Sequence, residues 1–257
     1  MLDIQRASIF KRIFAFILDF ILMVIVATGV GLLISKIVNF DEQYEKFVAV
    51  YDYYDEKYDI DLLGKTDKYD DLNEEEQKAY DERLNQANLE WSTDATSQKQ
   101  IYLVFNLTLI IITISLLVSV LILEFVVPLF LKDGQTIGKK IFSICIVKNN
   151  CVKMTNFQLF VRSIIGKYTI EIMIPVLIVI AIAFGAMGII GLIVLALMLI
   201  VQIVLLFGTK NHTVIHDAFA YTIVVDKESQ KIFANEEEMI KYKQKLHEEE
   251  VRRIKSY

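Results

Sequence analysis

Cysteine is almost missing from this 257-residue chain: Cys145 and Cys151 are the only two, and histidine occurs three times. A disulfide framework is excluded, and no His/Cys/Glu spacing of metal-site type is present. Cys145 reads as a small apolar packing residue, while Cys151 is ambiguous. Glycine and proline are also sparse, at ten and two. There is no G-x-S-x-G elbow, and Gly134-Gln-Thr-Ile-Gly138-Lys139-Lys140 lacks both the spacing of a phosphate loop and the Ser/Thr after its lysine. Nothing resembles soluble enzyme chemistry, so neither an enzyme nor a cofactor is expected. Between Lys36 and Gln100 there is no proline and only Gly64. Asp67, Asp70, Asp71 and Glu74 to Glu76 therefore lack the EF-hand pattern with its central glycine.

What the chain has is long apolar runs. Crossing the roughly 30 Å hydrocarbon core takes about 20 residues at about 1.5 Å each. Ile13 to Ile34, Ile101 to Leu131, Tyr168 to Phe184 and Ile189 to Phe207 reach or approach that length, the third by borrowing Ile164 to Lys167. These predict an all-α membrane protein with four transmembrane helices, a small cytoplasmic β element and an extracellular helical loop subdomain. Its first partner is the lipid bilayer; nucleic acid is not expected. A secretory signal peptide is the competing reading of Lys11-Arg12, the apolar stretch and Ala27-Thr28-Gly29, but the stretch is too long and Asp19 interrupts it.

Orientation follows from the basic residues, which concentrate in cytoplasmic loops. Lys132 to Lys167 carries seven basic residues against the single acid Asp133, whereas Lys36 to Gln100 has eight basic against eighteen acidic. With Arg6, Lys11 and Arg12 at the start, the signs agree on a multi-pass plasma-membrane protein with both termini cytoplasmic. The expected organisation is a cytoplasmic N-terminus and first helix (1–35), an acidic extracellular loop (36–100), the second helix (101–131), a basic cytoplasmic loop with a β-hairpin (132–167), the third and fourth helices (168–207), and a cytoplasmic strand pair and helix (208–257).

Within these segments, Asn73 followed by three glutamates reads as a capped helix start, as does Asn235 before Glu236 to Glu238. Ile141 to Lys148, Asn149-Asn150 and Cys151 to Met154 read as a hairpin whose turn uses the tolerance of asparagine for positive φ. Thr222 to Asp226 and Lys231 to Phe233 form a second strand pair. Gly185-Ala-Met-Gly188 with Gly191 suits a tight turn and close packing between the last two spans. Pro175 removes the amide that would bond the carbonyl of residue 171, so the third helix should kink beside Glu171, with Lys167 one turn earlier as that carboxylate's expected partner.

Charge inside the apolar runs points to function, because a carboxylate near the middle of a membrane helix costs about 2.5 to 3.5 kcal/mol even on lenient scales. Arg12 and Asp19 are seven residues apart, about two helical turns, and so share a face with Asp19 roughly 10 Å deeper. Arg12 is alternatively a snorkelling anchor. His216-Asp217 follows the last span and can reach Arg12; capping the turn into the strand at Thr222 is the other role open to Asp217. Arg12, Asp19, Asp217, His216 and Glu171 are thus the candidate ion-handling or polar-network residues, with Glu124 a weaker one.

Ala7-Ser-Ile-Phe-Lys-Arg12, Ala15 and Asp19, then Gly134-Gln-Thr-Ile-Gly138-Lys139, Asn156-Phe-Gln158 with Arg162, and His216-Asp217-Ala followed by Ala220-Tyr221-Thr222-Ile-Val-Val225 resemble the RDD family of membrane proteins. That family is named for one arginine and two aspartates. The resemblance implies Arg12, Asp19 and Asp217 as the naming triad, leaves out the acidic outer loop, and departs from the family at Tyr221, where glycine is usual. The family is mostly uncharacterised, with transport, including sodium/proton exchange, suggested for some members. A transport-related protein moving a cation or proton is therefore the leading expectation: Asp19 takes up the ion or proton, Arg12 tunes it, and His216 with Asp217 forms the entry. Four spans are few for a monomeric transporter, so a homo-oligomer or a partner membrane protein is expected. A membrane adaptor or regulator that binds a partner protein and transports nothing is the alternative.

Overall fold

The computed structural model describes residues 4–62, 69, 72–131, 133–183 and 187–255. They fall into two units, residues 1–27 with 116–257, and residues 28–115. Among the described residues, four helices are long and apolar enough to cross a membrane: α1 (Ile9–Ile37), α4 (Ala95–Leu131), α6 (Asn156–Ala183) and α7 (Gly188–Gly208). Only 6% of the most apolar window of α7 is buried. A helix so apolar and so uncovered needs lipid around it, because in water its exposed surface would be an aggregation site.

Two of the spans change winding. Leu121–Val126 within α4 and Val161–Met173 within α6 are π-helical. The third helix begins at Asn156, capped by Thr155, where a cytoplasmic loop was expected up to residue 167. The break expected at Pro175 appears as a change of register: the Ile174 amide still bonds back to the Thr169 carbonyl, and α-helical winding starts at Ile174. Wider turns just before the proline absorb its missing donor. Gly191 packs close to the preceding span, since a Cβ there would lie 2.7 Å from Ile182. Gly185 and Ala186 of the expected turn lie outside the described residues, as do Gly64, Asp67, Asp70 and Asp71.

The small sheet differs from the two hairpins expected. β1 (Ile144–Lys148) pairs antiparallel with β2 (Thr222–Asp226), Ile144 opposite Asp226 and Lys148 opposite Thr222. Cys151 to Lys153 contributes isolated bridges only, from Val147 to Lys153 and from Val152 to Phe233. The turn after β1 is nonetheless tight, with the Lys148 amide donating to the Val152 carbonyl at 2.9 Å. Its positive φ falls on Cys151, not on Asn149 or Asn150. A three-residue loop places the left-handed residue at its end, so the asparagines occupy the ordinary turn positions. The N-terminal segment joins the other edge of β2, where the Ala7 amide donates to the Val224 carbonyl and the Asp226 amide to the Gln5 carbonyl.

Both faces of this sheet are buried. Ile144, Ile146 and Val224 pack with Ala7 and Ala15, while Cys145, Val147, Ile223 and Val225 pack with Ile4 and Ile232. That explains an apolar run where a half-exposed strand would alternate. The terminal helix α9 (Glu236–Lys255) starts at Asn235, whose side chain accepts from the Glu238 amide, and packs Met239 and Tyr242 on Phe233, Cys151 and Val152. Both cysteines are free and buried, and burial pushes the Cys145 thiol up to about 12.

Residues 28–115 contain α2 (Phe40–Tyr58) and α3 (Glu74–Thr93). Asn73 caps α3 as expected, in a reciprocal box with Glu76. Tyr54 and Ala87 are buried, and Lys57 and Tyr58 both bond Glu90 at 2.5 Å. Helical subdomain and cap were both readable from composition.

Candidate functional site

The short helix α8 (Ile215–Phe219) carries His216 and Asp217. It lies against the π-helical part of α6 because Gly166 offers no side chain: a Cβ there would come within 2.7 Å of the His216 Cα. Asp217 is wholly buried and clasped by two arginines. Arg162 directs Nε and Nη2 at Oδ1, each at 3.0 Å, and Arg12 donates Nη2 to Oδ2 at 3.1 Å. Thr222 Oγ1 lies 3.4 Å from both the Asp217 carbonyl and Oδ1, so the residue also ties down the turn into β2. Burial on its own would raise this carboxyl; Arg162, then His216 and Arg12, outweigh it and hold it down at about 2.

Asp19 has other partners. The Thr136 hydroxyl donates to Oδ2, the Gly138 amide donates to Oδ1 at 2.8 Å, and the Lys139 ammonium is 3.7 Å from Oδ2. Thr136 is the cap of the short helix α5 (Ile137–Ile141) and accepts from the Lys139 amide while it donates to Asp19. Gly138 lets this helix start reach α1, for a Cβ would stand 2.3 Å from the Ala15 carbonyl oxygen. The glycine and lysine motif that looked like a failed phosphate loop is a receptor for the Asp19 carboxylate. Arg12 is not the partner of Asp19: it is engaged by Asp217, whose burial demands two cations, while α5 already fills the lone pairs of Asp19.

A third cluster was not expected as a unit. Glu124, on the π-helical turn of α4, forms an ion pair through Oε1 with Lys167. Ser163 donates to the Glu124 carbonyl at 2.6 Å. Lys167 thus belongs to Glu124 and not to Glu171. Glu171 instead accepts the His216 amide at 3.0 Å and has Oε2 at 2.7 Å from the ring Nδ1. The other ring nitrogen is 3.8 Å from Asp217 Oδ1. Oε2 of Glu124 has no hydrogen-bond partner among the described residues, and the Lys139 ammonium lies 4.0 Å from it.

All five sequence candidates line one cavity of about 440 Å³. Lys139, Arg162 and Lys167 share it, and Phe16, Phe20, Leu199 and Leu206 supply apolar wall. A separate polar pocket of about 290 Å³, bordered by Thr209, Asn211, Thr213 and Tyr221, also touches Asp217. Tyr221 itself is exposed and takes φ 53, the left-handed conformation that a glycine adopts without strain.

The residues missed by sequence reasoning as site members are Arg162, Lys139 and Lys167. Beyond setting orientation, Lys167 had been expected only as the partner of Glu171, and Lys139 only as part of the glycine and lysine motif. Arg162 and Lys139 also stood in the motifs that carried the family resemblance, the one signal that could have found them. The model of the RDD family matches residues 6–221. No curated protein and no solved structure matches the chain.

Proposed function

The chain belongs to the RDD family, and from that premise, together with four apolar helices that make it a multi-pass membrane protein, we propose that it moves protons across the plasma membrane in exchange for a small cation. One observation carries this reading. Glu171, His216 and Asp217 form a line of ionisable groups, with separations of 2.7 and 3.8 Å, that faces the large cavity along its length and reaches the polar pocket at Asp217. A histidine between two carboxylates can receive a proton at one ring nitrogen and release one at the other. Asp217, clasped by Arg12 and Arg162, closes the line on the pocket side. Asp19 anchors α5 to α1 and keeps Lys139 at the cavity, a positioning role in place of the ion-binding one expected from sequence.

The charge asymmetry supports an orientation with both termini and the basic segments in the cytoplasm and residues 36–100 outside. Four spans per chain favour an oligomer. The test uses purified full-length protein in liposomes holding a pH-sensitive dye. An imposed sodium or potassium gradient should drive a change in internal pH, and His216→Gln should abolish it. No flux under any gradient would overturn the proposal and is the outcome expected of an adaptor.

A further inference from the structure

Among the described residues that line the cavity, Lys139 is the cation without a direct hydrogen bond to a carboxylate. Lys139 extends from α5 between two carboxylates, Asp19 on α1 at 3.7 Å and Glu124 on α4 at 4.0 Å, without a direct hydrogen bond to either. Among the described residues its one side-chain bond is to Thr136 Oγ1 at 3.2 Å. Glu124 is buried, with 3% of its surface exposed, and its Oε2 is unpartnered. The remaining charges facing this ammonium are Arg162 and Lys167 on α6, both repulsive. An ammonium needs three acceptors to compensate its lost hydration, and this one has a single close acceptor while a carboxylate oxygen nearby lacks a donor.

We propose that Lys139 is a proton-exchanging group on the wall of the cavity, with Glu124 Oε2 as its counter-group. This rests on the proton reading above and adds the site where a proton is held away from the His216 line. Two states balance. In the loaded state Lys139 is an ammonium between the Asp19 and Glu124 carboxylates. In the unloaded state one N–H bond has broken, the proton has passed to water in the cavity, and the neutral amine keeps Thr136 as its partner. Burial works in the same direction, pushing the Lys139 amine below its ordinary value, with Glu124 opposing, Arg162 adding, Asp19 opposing and Lys167 adding. Lys139 lines the cavity, which gives the proton its exit.

Lys139→Arg separates this role from a structural one. Arginine keeps the charge but, with a pKa above about 12, is neutral at pH 8 in fewer than about one molecule in 10⁴. Flux in liposomes should fall below about a hundredth of wild type. A second readout needs no transport. Because the lysine is held below its unfolded value, the folded state releases its proton first and wild-type stability rises with pH through that window. The melting temperature of wild type in detergent should therefore climb relative to Lys139→Arg by up to roughly 4 °C per pH unit between pH 7 and 10. Parallel melting profiles would overturn the proposal. Equal flux in both proteins would also overturn it while leaving the transport reading intact. Absence of flux in wild type would sink the transport reading, and the melting comparison would still decide proton release. If Lys139→Arg does not fold, Glu124→Gln takes its place: loss of the neighbouring negative charge should move the flux profile about one pH unit lower, and an unmoved profile would refute the idea.

Discussion

Pairing of Arg12 with Asp217 rather than with Asp19 can be tested by a pair of double-mutant cycles. Removing one partner of a buried ion pair typically costs about 3 to 5 kcal/mol, because the survivor is left charged without water. Arg12→Ala should sit near the lower end, about 3 kcal/mol, since Arg162 still holds Asp217 Oδ1 at 3.0 Å. Arg162→Ala should cost more, about 4 to 5 kcal/mol, because it removes two donors from a side chain that is 2% exposed against 9% for Arg12. Adding Asp217→Asn to Arg12→Ala should return about 1.5 to 3 kcal/mol as coupling, whereas Arg12→Ala with Asp19→Asn should be additive within about 0.5 kcal/mol. Reversible unfolding in mixed detergent micelles, followed by far-ultraviolet circular dichroism, measures all of these. Coupling between Arg12 and Asp19 as large as that between Arg12 and Asp217 would refute the assignment and restore the stripe along α1.

Gly138→Ala and Gly166→Ala should each destabilise the protein by more than about 2 kcal/mol, since their Cβ atoms would meet the Ala15 oxygen at 2.3 Å and the His216 Cα at 2.7 Å; Gly29→Ala, with nothing within 4 Å, should be neutral or mildly stabilising in the same assay. The Asp217 carboxyl ionises near 2 in the folded protein against an ordinary 3.8, so its stabilising contribution is complete above pH 4 and disappears as the pH falls toward 2. Acid titration of Asp217→Asn should accordingly show a shallower loss between pH 4 and 2 than wild type. For orientation, single cysteines at Lys57 and Lys245 in a chain lacking Cys145 and Cys151 should react oppositely with an impermeant thiol reagent on intact cells. Residue 57 should label and residue 245 should not.

Span number and approximate position were legible because crossing a bilayer is a matter of length, which sequence states directly. The Asn73 cap was legible for a similar reason: its donor and acceptor lie three residues apart. Asp217 was found because a carboxylate beside an apolar run needs explaining. What escaped was whatever depends on a partner remote in sequence. Arg12 and Asp19 do share a stripe in helical projection, yet each found a better partner 205 and 117 residues away. Helical wheels count 3.6 residues per turn, and the π segments at Leu121–Val126 and Val161–Met173 shift Glu124, Arg162 and Lys167 off any such wheel. Of the four expected strands, those at Ile144–Lys148 and Thr222–Asp226 are present and pair with each other, because a tight turn predicts a hairpin while burial on two faces favours the β1 and β2 pair.

The sheet joining residues 5–7, 144–148 and 222–226 has a bearing on biosynthesis. The ribosome releases Arg12 and Asp19 first, Glu124, Thr136 and Gly138 next, Arg162 and Lys167 after them, and Asp217 with β2 only after the fourth span. Until residue 217 is made, Arg12 on α1 lacks the carboxylate it pairs with in the finished protein. Insertion and maturation are consequently distinct events: hydrophobicity can thread all four segments while the ionic clasp waits for residue 217. A chain shorter than that would carry Arg12 and Arg162 without the carboxylate they share and β1 without its partner strand, an open edge of the kind that invites aggregation.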